Sequence, residues 1–203
     1  MDTLRVEPPA MALALSASFG SVAGWHADLV ATAQGTGNGQ VMLGFDANAG
    51  RLVHLHLHTG TASPASHHAV WSLNLPAELA APGVDWPAVY ERYQRAVHSS
   101  SEAVAADPQH LGDALVLDVR RDLPFQQAKT MLPGAAWRNP AQVGIWAAEL
   151  PRGREVVVYC IYGHEVGRST ALRLRAEGVN ARFLPGGIDA WTSAGQPVVA
   201  RVP

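Results

Sequence analysis

The sequence predicts two domains: an N-terminal β-rich domain with an antiparallel sheet over residues 1–85, and a C-terminal α/β domain with a central parallel sheet over residues 97–203. Three observations carry this division. Residues 10–75 alternate apolar and polar positions without an evident helical period, as strands with one packed face do. Residues 76–87 are rich in Pro, Ala and Gly and read as a linker. From residue 99 short apolar runs alternate with amphipathic segments, the pattern of parallel strands joined by right-handed helical crossovers.

In the first half, Ala12–Phe19 partly alternates and is expected to be a strand broken by Gly20, with Trp25–Ala33 a second. Gly35–Gly39 reads as a turn cluster and Gln40–Phe45 as a strand. Asp46-Ala47-Asn48-Ala49-Gly50 is a hairpin signal, because Gly tolerates positive φ, and Arg51–His58 alternates cleanly behind it. A helix is expected over Trp86–Val97, with Asp85 as N-cap, Pro87 near its start, and Val89, Tyr90, Tyr93 and Val97 on one face. The domain boundary falls between about residues 80 and 96.

In the second half, Ser99–Glu102 is expected to cap a short helix running to Ala106. Ala114–Leu117 and Val156–Tyr159 read as strands covered on both faces. A helix opens at Asn139-Pro140 and runs to Leu150, where Pro151 ends it. Another spans Val166–Glu177, with Gly178 where a helix end favours a left-handed residue. Ala181–Leu184 is a strand, and a last short helix starts at Ile188.

Of the 203 residues, 48% are hydrophobic and 16% charged, which excludes wholesale disorder. The formal net charge is −2 and Lys129 is the sole lysine, so no basic surface is expected to hold nucleic acid or an acidic membrane. No apolar run approaches the ~18 residues that span a bilayer. Met11–Gly24 is short, and Asp2, Arg5, Glu7 and Pro8-Pro9 ahead of it are not the basic start of a secretory signal. Cys160 is the only cysteine, so an intramolecular disulfide is impossible, and a lone thiol fits a reducing cytoplasm.

The placement of Cys160 points to chemistry. A buried parallel strand ends at Tyr159, a helix begins near Val166, and Cys160-Ile161-Tyr162-Gly163-His164-Glu165 lies between them. Ligands of open α/β sheets bind beyond the carboxyl ends of strands. The following helix aims free N–H groups and partial positive charge back at this loop. A thiol there is expected to have a lowered pKa and to act as a nucleophile. The alternative is a small buried hydrophobe at a strand end.

Four landmarks decide between these. Leu117-Asp118-Val119-Arg120, Leu132-Pro133-Gly134-Ala135, the run Val156–Gly163 with Gly three residues after Cys, and Leu184-Pro185-Gly186-Gly187-Ile188-Asp189-Ala190-Trp191 occur in order. With them residues 97–203 resemble the rhodanese-like domain family. The resemblance implies a three-layer α/β domain and sulfur transfer without a cofactor: Cys160 takes a sulfane sulfur from a small donor such as thiosulfate and yields it to a thiol or cyanide. It makes Cys160 the persulfide carrier and the backbone of Ile161, Tyr162, Gly163, His164 and Glu165 its cradle, with Gly163 leaving room for the chain to curl. Asp118 is expected to brace backbone near the loop, and Arg120 to pair with a carboxylate or guide an anion.

The sequence departs from the family pattern at several points. The loop carries His164 and Glu165 where many relatives have a basic residue, and Glu165 should raise the thiol pKa and repel an anionic donor. His164 could pair with Glu165, donate to the persulfide, shuttle a proton, or be a solvated loop histidine. Arg168 either restores positive charge or is an ordinary surface side chain, and Tyr162 either walls the pocket or merely packs. The segment Phe125–Pro133 is longer than usual and lacks the family's His. Related phosphatases place an Arg at the sixth residue after the Cys, where this chain has Val166. The alternative function is a fold kept as a binding or regulatory module without turnover, in a metal or chromate stress response.

In the N-terminal half, His54, His56 and His58 alternate with Val53, Leu55 and Leu57. On a strand the histidines share one face about 7 Å apart, and with His26, His67 or His68 could bind a transition metal. The plainer reading is a solvated histidine face opposite a leucine-lined core. No family is recognised here, and a protein partner is one role open to this half.

Overall fold

Residues 9–34 fold as two helices, not as the expected strands. The computed structural model describes residues 6–34, 39–58, 62–75 and 84–201. Helix α1 spans Pro9–Phe19 and α2 spans Val22–Gln34. Ala, Leu and Met are good helix formers, and alternating Ala and Leu suits either period. The ends decide. Pro9 stands in the first turn, where a missing N–H costs nothing. Gly20 takes φ 82° and donates its N–H to Ser16 O at 2.8 Å. Ser21 Oγ then accepts from the Gly24 amide at 2.8 Å, starting α2. Trp25, Leu29 and Ala33 are buried at successive i, i+4 positions, a helical period.

The helices accompany an antiparallel sheet in the order β2–β1–β3, formed by β1 (Gly39–Asp46), β2 (Arg51–Leu57) and β3 (His67–Leu75). The N-terminal half is thus mixed α/β and not simply β-rich. Asp46 Oδ1 caps the β1–β2 turn by accepting from the Asn48 and Ala49 amides, and Gly50 takes φ 61°. The Gly35–Gly39 cluster and the linker over 76–87 fall mostly outside the described residues.

Register puts Val41, Leu43 and Phe45 on the same sheet face as His56, His54 and Leu52. That face is covered by aromatic side chains. The His54 side chain is 0% exposed, and its ring lies 5.0 Å from Phe19 and 6.1 Å from Trp25. The leucine face, expected to be the core, is only half-buried at Val53, Leu55 and Leu57. The expected faces are therefore reversed. A flat imidazole packs against Trp25 while its Nδ1 reaches Asp28 Oδ2 at 2.6 Å, and its Nε2 is buried without a hydrogen-bond partner. Burial pushes the His54 pKa down, against the pull of Asp28. His56 and His58 meet edge to face at 4.7 Å. Among the described residues no three His, Cys, Asp or Glu are grouped so that they could hold a metal ion.

The chain divides into two units, Met1–Ala96 and Val97–Pro203. The division falls inside α3 (Trp86–Ser101), whose start is capped by Asp85 Oδ1 accepting from the Ala88 amide at 3.1 Å. The expected cap at Ser99–Glu102 starts no new helix, because α3 runs through it into a 3-10 turn at Glu102–Val104.

In the second unit four strands pair in parallel in the order β6–β4–β7–β8: β4 (Leu115–Asp118), β6 (Ala136–Trp137), β7 (Val156–Tyr159) and β8 (Ala181–Phe183). A short antiparallel pair joins β5 (Thr130–Met131) to β9 (Val199–Ala200). All four residues of central β7 are buried, as its continuous apolar run requires. The chain between β4 and β5 forms α4 (Asp122–Gln127). The expected helix over 139–150 is broken into 3-10 turns around α5 (Val143–Trp146). Helix α6 (Glu165–Ala176) follows β7, and α7 (Gly187–Ser193) follows β8. No helix among the described residues is long and apolar enough to cross a membrane.

Trp25 is fully buried and meets Trp86 at 5.2 Å and Trp71 at 6.4 Å. Trp25→Ala should cost about 3–5 kcal/mol of stability in the N-terminal unit, read as a lower denaturant midpoint for loss of far-ultraviolet helical signal in the full chain.

Candidate active site

The strand β7 delivers Cys160 to the carboxyl edge of the parallel sheet, and the chain turns at once. Two backbone bonds pin the turn: the Ile188 and Asp189 amides donate to Cys160 O and Ile161 O, each at 3.0 Å. Gly163 takes φ +66°, and a Cβ there would lie 2.4 Å from the Gly186 nitrogen. The missing Cβ of Gly163 makes room for the Gly186-Gly187 backbone, against which the chain curls. Gly187 answers from the other side, since its Cβ would stand 2.4 Å from Ile161 O. Two backbones in direct contact thus force the loop to curl.

The curl turns amides toward the sulfur. The backbone amides of Gly167, Gly163 and His164 favour an anion on Cys160, each pulling its pKa down. Gly163 and His164 belong to the expected cradle over 161–165. Gly167, in the first turn of α6, was missed; a Cβ at this position would stand 3.4 Å from Sγ. The signal was a glycine inside a helix, where it is costly unless something approaches closely.

The side-chain electrostatics differ from expectation. Cys160 is 6% exposed, and burial pushes its pKa up. The three amides pull it down and Glu165 pushes it up, as anticipated for that carboxylate. The expected low-pKa thiolate is therefore absent, because desolvation outweighs the amide bonds. Glu165 is itself buried at the N-terminal end of α6, where the helix dipole favours a negative charge.

Arg168 is no ordinary surface side chain. Its Nε donates to Gly163 O at 2.9 Å and its Nη1 to Ser101 Oγ at 3.0 Å. Its guanidinium also lies 4.2 Å from the Phe183 ring centroid. Arg168 therefore clamps the loop to the end of α3. Tyr162 and His164 are exposed, with rings 5.7 Å apart. Beside them stands a residue that sequence reasoning passed over: His98 of α3, whose ring is 6.1 Å from that of His164.

A model of the rhodanese-like domain matches residues 101–194. A sulfurtransferase of Allochromatium vinosum is 33% identical over 88 residues, which cover 43% of this chain and 80% of that protein. The chain belongs to the rhodanese-like family. Among solved structures, a full-length protein from Lactobacillus plantarum is 26% identical with a TM-score of 0.46, covering 49% of this chain and 89% of that one. A thiosulfate sulfurtransferase from Pseudomonas aeruginosa is 26% identical with a TM-score of 0.42, covering 49% of this chain and 20% of that one.

Behind the loop, the rhodanese-like unit carries a buried polar network. Asp118 and Arg120 are 0% and 5% exposed and form a bidentate pair, Arg120 Nε lying 3.0 and 2.9 Å from the two carboxylate oxygens. Asp118 Oδ1 also accepts from the Arg120 amide at 3.0 Å. The Tyr159 hydroxyl donates to Asp118 Oδ2 at 2.9 Å and accepts from the Leu132 amide at 3.2 Å. Arg120 further donates to Thr130 O at 3.0 Å. These bonds join the ends of β4 and β7 to the segment after α4, the site of the Phe125–Pro133 departure. Burial and the neighbouring Asp118 push the Tyr159 pKa up, so its hydroxyl keeps the proton that it donates.

Asp118→Ala would leave the buried Arg120 charge without its carboxylate and should cost about 3–5 kcal/mol. Tyr159→Phe should cost only about 1–3 kcal/mol, the penalty of one buried bond, with both read from equilibrium denaturation. Alkylation of Cys160 by iodoacetamide should rise with pH with a midpoint above that of free cysteine. Because Glu165 opposes the thiolate, Glu165→Gln should move that midpoint down.

Proposed function

We propose that this protein is a sulfurtransferase that carries a sulfane sulfur on Cys160, taken from thiosulfate or a similar donor and passed to a thiol or cyanide. The backbone amides of Gly167, Gly163 and His164, which favour an anion on Cys160 at the carboxyl edge of the sheet, support this reading above all else. In the first half-reaction the Cys160 thiolate attacks the outer sulfur of thiosulfate. The donor's S–S bond breaks, sulfite leaves with the electron pair, and Cys160 keeps the transferred sulfur as a persulfide anion. In the second, cyanide attacks that outer sulfur, the persulfide S–S bond breaks, thiocyanate leaves, and the pair returns to Cys160 as thiolate. The cradle of amides suits an anionic sulfur throughout.

Burial favours the protonated thiol at rest, so the first half-reaction begins with loss of that proton to solvent or buffer. Ile161, Tyr162 and Glu165 complete the loop around the donor. Arg168 acts as its clamp, and Asp118 with Arg120 fixes the strand ends beneath it. A family phosphatase would need an Arg at the position of Val166; Arg168 is instead engaged with Gly163 O. The raised thiol pKa favours a second reading, a binding module without turnover. A lone thiol fits a reducing, cytoplasmic setting.

Intact-mass spectrometry after thiosulfate treatment separates the readings. A gain of one sulfur, about 32 Da, lost on cyanide addition and absent in Cys160→Ser, is the expected result. No gain with thiosulfate or with an organic persulfide would leave the binding module.

A further inference from the structure

We infer that His98, which precedes the family-matched segment, is part of the donor site: with His164 it binds the anionic end of the sulfur donor across the mouth of the Cys160 loop. The donor's identity rests on the sulfur-transfer reading, while the anion site rests on geometry. The loop from Cys160 to Glu165 contains no Arg or Lys, and its carboxylate, Glu165, repels anions. Arg168 is the cation that acts on Cys160, but its Nε and Nη1 are bonded to Gly163 O and Ser101 Oγ, so a further donor for an anion such as thiosulfate has to come from another element.

The last turn of α3 provides it. Ser101 Oγ accepts from Arg168 Nη1 at 3.0 Å, and Arg168 Nε holds Gly163 O at 2.9 Å, so this turn is tied to the loop. One helical turn earlier on the same helix, His98 faces His164 with ring centroids 6.1 Å apart and planes inclined by 55°. Tyr162 flanks the pair at 5.7 Å from His164. His98 is half-buried and His164 exposed. Two imidazoles so spaced offer N–H donors to separate oxygens of one sulfonate group, while the sulfane sulfur points into the loop.

The charges around His98 favour a site that loads a proton together with its anion. His98 faces Arg168 and His164, which disfavour its protonation, and Glu165 and Glu102, which favour it. Burial and the two basic neighbours prevail, and the His98 pKa lies below its ordinary value. An anion lodged between the rings reverses that balance. It offsets the repulsion between the imidazoles and draws a proton onto each. Donor binding therefore takes up protons, and affinity falls as pH rises through the imidazole range.

The test is a ring-proton NMR titration of the full-length Cys160→Ser protein with and without thiosulfate, paired with steady-state kinetics of wild type and His98→Gln. Thiosulfate should raise the midpoints of both His98 and His164, and His98→Gln should abolish the rise at His164. In kinetics His98→Gln should raise KM for thiosulfate about tenfold at pH 6.5, where imidazole protonation counts, leave kcat within about twofold, and flatten the rise of KM with pH. Unmoved His98 and His164 midpoints, or a His98→Gln KM profile that superimposes on wild type, overturn the inference. If His98→Gln fails to fold, the titration of Cys160→Ser alone decides. Ring shifts without any mass gain at Cys160 keep the anion site and discard sulfur transfer. A mass gain with unmoved rings does the opposite.

Discussion

The loop after β7 has its shape because two stretches of backbone touch without side chains between them. Gly163 lies against Gly186, and Gly187 against the carbonyls of Cys160 and Ile161. Nothing larger than hydrogen fits at either contact. That constraint sets the curl, and the curl aims the amides of Gly163 and His164 at Sγ while α6 adds the amide of Gly167. Arg168 and the Asp118–Arg120–Tyr159 network hold the two sides in place but do not create the geometry. The closing Gly-Gly pair is thus a packing requirement of the turn that carries Cys160.

The electrostatics of the cradle are a contest between burial and hydrogen bonding. Three amides and a helix N-terminus favour an anion on the sulfur. Near-complete removal from water disfavours it more, and Glu165 adds to the penalty.

The second unit was legible because its signals are local and redundant. Val156–Tyr159 is a continuous apolar run of strand length, and residues 184–191 carry a pattern with a single backbone solution. The first unit was misread because alternating Ala and Leu satisfies a strand period as well as a helical one. The deciding information lay in Pro8-Pro9, Gly20 and Ser21 and in the Trp25, Leu29, Ala33 spacing. The histidine face of β2 was assigned to water because imidazole is polar, yet Asp28 answers Nδ1 and leaves the ring free to pack. In the site, Cys160 and the loop were readable from strand and helix order. Gly167 and His98 were not, since one acts through its backbone and the other approaches from an element more than sixty positions earlier in the chain. The thiol pKa was misjudged because a helix N-terminus is visible in sequence and desolvation is not.

The contact of Gly163 with Gly186 and Gly187 also sets an order of assembly during translation. The loop is complete on the ribosome well before the stretch that shapes it, because the amides of Ile188 and Asp189 must bond the Cys160 and Ile161 carbonyls. Until that stretch clears the exit tunnel the nascent thiol has neither its amide ring nor its cover. A chain cut short before residue 186 would lack the backbone that Gly163 and the Cys160 and Ile161 carbonyls meet.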